Sequence, residues 1–258
     1  MNVGIRWLIR ARGAISLAVL LAAWEIAALL IPQRVTVFPA PSLIAQTLID
    51  NASTFVEAVQ PTAIEATIGL VIACIASIAL AAAFVRSRAL EEGLYNVAVM
   101  MHSIPVIAII PILVIWLGTG YAPKIAVAAL ASFFPILVNT TRGLQIVDEQ
   151  LLEYMQVLDA SWWQTLRIVR WPTALPYLYA ALKIGAPSAV LGATIGEWIG
   201  SQTGLGYQIL SAMFNFDPPM LWATMVVCAA VALAGFGLFA LLEHVTVGSW
   251  ADADGSGV

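Results

Sequence analysis

Apolar residues run along this chain in long unbroken blocks, and six blocks reach the length of about 20 residues that a membrane-spanning helix needs. They cover residues 13–31, 63–85, 94–117, 121–138, 177–199 and 221–242. The first follows Arg6, Arg10 and Arg12, as the core of a signal peptide would. Its apolar run is longer than such a core, and no small-residue cleavage site follows near Pro32, so it reads as a retained helix. Between the fourth and fifth blocks the pattern changes. Leu144, Val147, Leu151, Met155 and Leu158 recur every three or four positions, with Glu149, Glu153 and Gln156 on the other side, which predicts an amphipathic helix. Ser161 with Gln164 fits a capping box that opens a second helix carrying Trp162, Trp163 and Leu166, ended by Pro172.

Two short helices meeting at a bend make a knob over about 142–176. Such a knob can enter a groove on another protein, with Glu153 offered to a basic partner. Equally, it can lie on its own bundle with the tryptophans held at headgroup level.

Composition supports lipid as the solvent: 61% of residues are hydrophobic and 10% charged, against roughly 45–50% and 25% in soluble domains. The fold class is therefore all-α and integral to the membrane. The chain makes one domain over 1–250, with 251–258 a disordered tail. Lys and Arg gather on the cytoplasmic side of membrane proteins. With the N-terminus inside, Arg6, Arg10, Arg12, Arg86, Arg88, Arg142, Arg167, Arg170 and Lys183 fall on that side, and Arg34 and Lys124 fall outside. Both termini and the knob are then cytoplasmic. No basic tract suggests nucleic acid, Cys74 and Cys228 lie inside apolar runs, and no hydrolase, metalloprotease or phosphate-loop motif occurs. The chain has no residue set for catalysis or for a metal, and ATP must be handled by another polypeptide.

Proline in a membrane helix frees backbone groups that lipid cannot satisfy, so such breaks mark packed or wet regions. Pro105, Pro111, Pro135 and Pro187 place the third to fifth spans around a path, with Ser188 beside it and the second and sixth spans nearer lipid. Prolines are also simply commoner in membrane helices. Gly185, Gly192, Gly196 and Gly200 give the fifth span a small-residue face for close packing, within the bundle or across a subunit boundary. Glu25, Glu65 and Glu197 are intramembrane carboxylates and functional candidates by default. Near the outer end of its helix, Glu197 either snorkels, bonds another helix or touches cargo. Only Lys183 offers the path a basic group, which leans toward a neutral or cationic cargo, or toward backbone amides as the contacts of an anion.

The segment from Glu153 resembles the cytoplasmic loop of permease subunits of type I ABC importers, which opens E-A-A, has a glycine after a short gap, and closes on an isoleucine and L-P. Glu153, Leu158, Ala160, Ile168, Pro172, Leu175 and Pro176 match as they stand, while Tyr154 and Met155 replace the two alanines and Asp159 takes the place of the glycine. Phe38-Pro39-Ala40-Pro41-Ser42, the stretch from Ile104 to Gly120, and Gly196-Glu197-Trp198 through Tyr207 resemble the nitrate, sulfonate and taurine branch, which includes carriers of pyrimidine vitamin precursors. The resemblance implies a multi-pass permease of the bacterial inner membrane, paired with a second copy or near relative. It implies two cytoplasmic ATPase subunits, which carry the ATP and Mg and dock on the knob, Ser161 included, and a binding protein that delivers cargo outside. It also sets the glycine face at the boundary between permeases. A gradient-driven carrier or channel with an interfacial hairpin is the competing reading.

Overall fold

A computed structural model of the chain describes residues 3–30 and 37–247, with side chains described from residue 15 onward except at 101 and 102. The predicted tail at 251–258 and Arg34 lie outside the described residues. Within them every regular element is helical: α1 (Val3–Leu30), α2 (Pro41–Asp50), α3 (Ala52–Arg86), α4 (Arg88–His102), α5 (Val106–Leu117), α6 (Tyr121–Gln145), α7 (Glu149–Val157), α8 (Trp162–Thr165), α9 (Trp171–Gly196), α10 (Leu205–Phe214) and α11 (Pro218–Thr246). Lipid offers no partner to a backbone N–H or C=O, so each apolar block must satisfy its own, and a helix does so. Four helical stretches are long and apolar enough to cross a membrane: Ala52–Arg86, Tyr121–Gln145, Trp162–Gly196 and Pro218–Thr246.

The core is the meeting of α3, α6 and α9, and alanine is its commonest residue. Ala66, Leu70 and Ala73 of α3, Ala128 and Ile136 of α6, and Ala181, Ala189 and Ala193 of α9 form one buried cluster. Ala128 sits between two glycines. A Cβ on Gly69 would lie 2.6 Å from the Ala128 Cβ, and one on Gly192 would lie 2.9 Å from the Ala128 Cα. Lipid tails are as apolar as leucine, so nothing like the aqueous hydrophobic effect presses these helices together, and close van der Waals contact carries the association. A second cluster of Phe84, Leu137, Leu144 and Ala174 closes the end from which α7 projects. α11 packs along α9 but leaves Leu233, Leu238 and Leu241 exposed, as a lipid-facing helix does. At the opposite end Trp24, Phe38 and Trp222 stack with ring centroids 5.2–5.7 Å apart and tie α1 to the start of α11.

Several expectations are corrected. The third block is two helices, because Pro105 supplies no N–H and drives Ile104 out of helical geometry, so α4 ends at His102 and α5 starts at Val106. The second span is not nearer the lipid: α3 is a wall of the core, extends to Ala52, and carries the buried Pro61. The glycine face does not lie across a subunit boundary. Gly185 meets Ile136, Gly192 meets Ala128, and Gly196 meets Lys124, all on α6 of the same chain. Gly200 lies beyond the helix at φ 76°, in a left-handed turn beside Thr119.

Replacing Gly192 with Leu forces α6 and α9 apart and should cost about 1–3 kcal/mol, as overpacking does. Gly237 has open space where a Cβ would go, so Gly237→Leu should leave thermal unfolding of the detergent-solubilised protein unchanged while Gly192→Leu lowers it.

Candidate functional site

The hairpin is held by local chemistry. Asp148 caps α7, its carboxylate accepting the N–H of Gln150 at 2.9 Å. At the far end the N–H of Ala160 donates to the Met155 carbonyl at 2.9 Å and that of Asp159 to the Gln156 carbonyl at 3.0 Å. This bond pair is a Schellman turn, and Asp159 occupies its left-handed position at φ 50°. Glycine suits that position best, and Asp is among the few other residues that tolerate it. Ser161 then opens α8 with a complete capping box: its Oγ accepts the Gln164 N–H at 3.4 Å, and Gln164 Oε1 accepts the Ser161 N–H at 2.7 Å.

Pro172 does not end the second helix. One π-helical turn at Leu166–Arg170 carries the chain from α8 into α9, with Pro172 in the first turn of α9. The wider turn accommodates a residue that has no N–H and whose ring would crowd the carbonyl four residues back. The predicted apolar stripe is also divided. Leu144 is buried at the end of α6 and Val147 in the connection, leaving Leu151, Met155 and Leu158 to the hairpin.

The base of the hairpin is fastened and its tip is not. Arg170 Nη1 donates to the Leu144 carbonyl at 2.7 Å, and the Arg86 guanidinium lies 5.3 Å from the centre of the Trp162 ring. No residue of α7 is buried. Tyr154, Val157 and Leu158 are 66%, 84% and 73% exposed, an apolar tip with Glu153 beside it. Ile168 is exposed on the π turn, Pro176 is exposed on α9, and Pro172 and Leu175 are half-buried.

At the opposite end the structure brings together a polar cluster that the sequence shows only in part. Glu197 is 1% exposed, so it does not snorkel. One carboxylate oxygen accepts the Thr62 hydroxyl at 2.6 Å, and the other accepts the Gly206 N–H at 2.5 Å. Thr62 Oγ1 in turn accepts the N–H of Leu205 at 2.9 Å. Gly204 and Gly206 leave the space this carboxylate needs, since a Cβ on Gly204 would land on it and one on Gly206 would collide with the Thr194 carbonyl. Glu65, also 1% exposed, pairs with Lys124 at 3.7 Å, and Lys124 Nζ donates to Ser201 Oγ at 2.9 Å.

Charge sorting puts Lys124 at the outer end of the fourth span without assigning it a partner. It stands in the first turn of α6, 6% exposed, one residue after Pro123. Thr62 and Lys124 are the residues the sequence reading missed. A threonine three positions before an intramembrane glutamate shares its helix face, and that was the available signal. Lys183, read as open to the path, pairs with Glu243 at 2.5 Å. Glu25 caps α2 from α1, accepting the Ser42 N–H at 3.0 Å and the Ser42 hydroxyl at 2.6 Å.

The other path candidates spread over three helices. Pro105 and Pro111 are exposed at the start of α5 and within it, and Pro135 is half-buried in α6, where its carbonyl accepts from Asn139 at 2.8 Å. Pro187 and Ser188 lie half-buried on α9, and the Ser188 hydroxyl bonds back to the Ile184 carbonyl at 2.9 Å.

The profile of the family described as "Binding-protein-dependent transport system inner membrane component" matches residues 67–245, which takes in the core helices and the whole hairpin. The chain belongs to this family. This permease is 34% identical over 227 residues to the formylaminopyrimidine transport permease protein ThiX of Halalkalibacterium halodurans, covering 88% of this chain and 90% of that protein. It is 28% identical over 236 residues to the putative aliphatic sulfonates transport permease protein SsuC of Bacillus subtilis, covering 90% and 85%. Its fold is shared with a solved amino acid ABC transporter at TM-score 0.61 and 15% identity, over 77% of this chain and 97% of that one. The inward-facing MetNI methionine ABC transporter shares it at TM-score 0.56 and 18% identity, over 82% and 99%. The permease is a multi-pass inner-membrane transport component rather than a catalyst, of the ABC importer class, whose members work with ATPase and binding-protein subunits.

Three substitutions test this geometry. Thr62→Val keeps the shape but strips Glu197 of a donor and Leu205 of an acceptor, and should cost about 1–3 kcal/mol in thermal unfolding. Asp159→Val puts a β-branched residue in a left-handed turn and should cost about 1–2 kcal/mol locally, read as faster proteolysis at the hairpin, while Asp159→Gly is tolerated.

Proposed function

We propose that the permease couples ATP hydrolysis to solute import through the hairpin from about 142 to 176, with separate ATPase subunits gripping its tip. The single observation that carries this reading is the contrast between a backbone locked by two caps and a Schellman turn and a tip whose apolar side chains Tyr154, Val157 and Leu158 stand largely exposed. A rigid apolar projection beside an acidic Glu153 is the form that helix-in-groove recognition takes. ATP and Mg belong to the ATPase subunits. The hairpin end is cytoplasmic, in keeping with Arg86, Arg88, Arg142, Arg167 and Arg170, which all lie there.

A second permease, identical or closely related, pairs along the face of α9 that α6 leaves uncovered. Ile184 and Leu191 are 53% and 61% exposed there, with Pro187 and Ser188 half-buried between them. The path for cargo runs between the two copies along this face. Two ATPases drive the pair between outward and inward states, and a soluble binding protein delivers cargo at the end opposite the hairpin. The cargo is a small solute of the kind named for the relatives, a pyrimidine precursor or a sulfonate.

The test is to reconstitute the permease with its ATPase and binding protein and to vary the tip. Truncating a buried Leu forfeits about 1.5–3 kcal/mol, so Leu158→Ala should weaken ATPase binding roughly ten-fold or more, and Leu158→Asp should abolish ATP-driven uptake while insertion is unchanged. Uptake that survives Leu158→Asp at the unmodified rate refutes the assignment.

A further inference from the structure

Where α3 ends, α4 begins and α8 packs beside them, a groove of about 420 Å³ lies on the outside of the bundle. Its apolar walls are Ala79, Ala82 and Ala83 of α3, Leu90 of α4, and Trp162 and Trp163 of α8, and its polar lining is Arg86 and Ser87. Alanines on successive turns leave the hollow, and the two tryptophan rings, with centroids 4.7 Å apart, border it.

The groove continues a longer track. Ile68, Ile72 and Ile75 are exposed on α3, and with Ala79, Ala82 and Arg86 they recur every three or four positions, so they share one face of the helix. That face is turned away from the core that α3 makes with α6 and α9. From Ile75 to Arg86 is 11 residues, about 16.5 Å at 1.5 Å per residue, close to the depth of one leaflet in a hydrocarbon core about 30 Å thick.

The Arg86 guanidinium decides what lies there. It sits 5.3 Å from the centre of the Trp162 ring, a contact that holds it in place without giving its N–H donors an oxygen. Among the described residues it has no carboxylate or carbonyl partner, whereas the charges around it are engaged: Arg88 with Glu92 at 3.4 Å, Arg170 with the Leu144 carbonyl at 2.7 Å, and Glu91 with Gln145 at 2.7 Å. Ser87 Oγ accepts the Leu90 N–H at 3.4 Å and keeps its own proton to donate. A cation and a hydroxyl thus adjoin walls that are otherwise apolar.

We propose that this groove seats one anionic phospholipid, with its phosphate on Arg86 and Ser87 and an acyl chain along Ala79, Ala82 and the isoleucine track. A phosphodiester takes charge-assisted hydrogen bonds from a guanidinium. Basic pockets between membrane helices recruit anionic head groups in this way, and tryptophans stand at head-group level. A free phosphate would occupy the polar lining and leave the apolar walls bare, and a zwitterionic lipid would bring its own cation toward Arg86. The site depends on α3 spanning the membrane and not on the ATPase assignment.

The experiment measures the melting temperature of the full-length permease in detergent micelles doped with dioleoylphosphatidylglycerol, dioleoylphosphatidylcholine or inorganic phosphate. Phosphatidylglycerol should raise it by roughly 2–4 °C, and the other two should leave it as in detergent alone. Arg86→Gln should weaken the phosphatidylglycerol response about ten-fold, while Arg88→Gln, which removes a neighbouring exposed charge, should leave it intact. Ala79→Leu, at an exposed position, fills the groove with Arg86 in place and should weaken the response to a similar degree, so the test stands even if Arg86→Gln does not fold. An equal shift with phosphatidylcholine or inorganic phosphate, an equal loss in Arg88→Gln, or a phosphatidylglycerol response that survives Ala79→Leu overturns the proposal. Should the groove instead receive an ATPase subunit, Ala79→Leu would weaken co-purification of the ATPase and leave the lipid response unchanged, which overturns it as well.

Discussion

Three helices can approach one another in lipid only as closely as their side chains permit, and here the permission comes from glycine and alanine. Gly69 and Gly192 bring α3 and α9 onto opposite sides of Ala128, and every other feature is positioned from that contact. The direction in which α9 leaves the core fixes where the hairpin emerges at one end, and where Glu197 meets Thr62 at the other. Water would drive such helices together whatever their detailed shape, but a bilayer does not, so geometric fit has to supply the association.

The polar cluster at the opposite end follows from the same constraint. A carboxylate removed from water must be supplied with donors or it is costly to bury. Glu197 receives them from a side chain on α3 and a backbone amide of α10, two segments that would otherwise meet α9 only through apolar contact. Gly204 and Gly206 are glycines because a side chain at either would collide with this arrangement. Lys124 and Glu65 add a second polar tie between α6 and α3. The hairpin end of the core adds packing around Phe84 and Leu137 to the bond from Arg170 to the Leu144 carbonyl.

What the sequence discloses is what local chemistry decides. The capping box at Ser161 and Gln164 is legible because both partners lie within one turn, and the apolar blocks are legible because lipid imposes their length. The break at Pro105 is hidden because a hydropathy window sees only apolar residues on both sides. The stripe from Leu144 to Leu158 misleads because its spacing persists across a helix end. The glycine face is visible as a pattern, but a repeat of small residues does not say which neighbour fills it. The partner of Lys124 is hidden because a buried ion pair with Glu65 is a property of two helices rather than of one segment.

The π turn at Leu166–Arg170 has a mechanical consequence. Without it a proline at position 172 would be a joint, and motion at the hairpin would be lost in bending there. With it, Trp162–Gly196 is one helical stretch of 35 residues, about 52 Å long at 1.5 Å per residue, with the hairpin's return arm at one end and Glu197 just beyond the other. Swinging one end of a stretch this long through about 10° would displace the far end by roughly 9 Å.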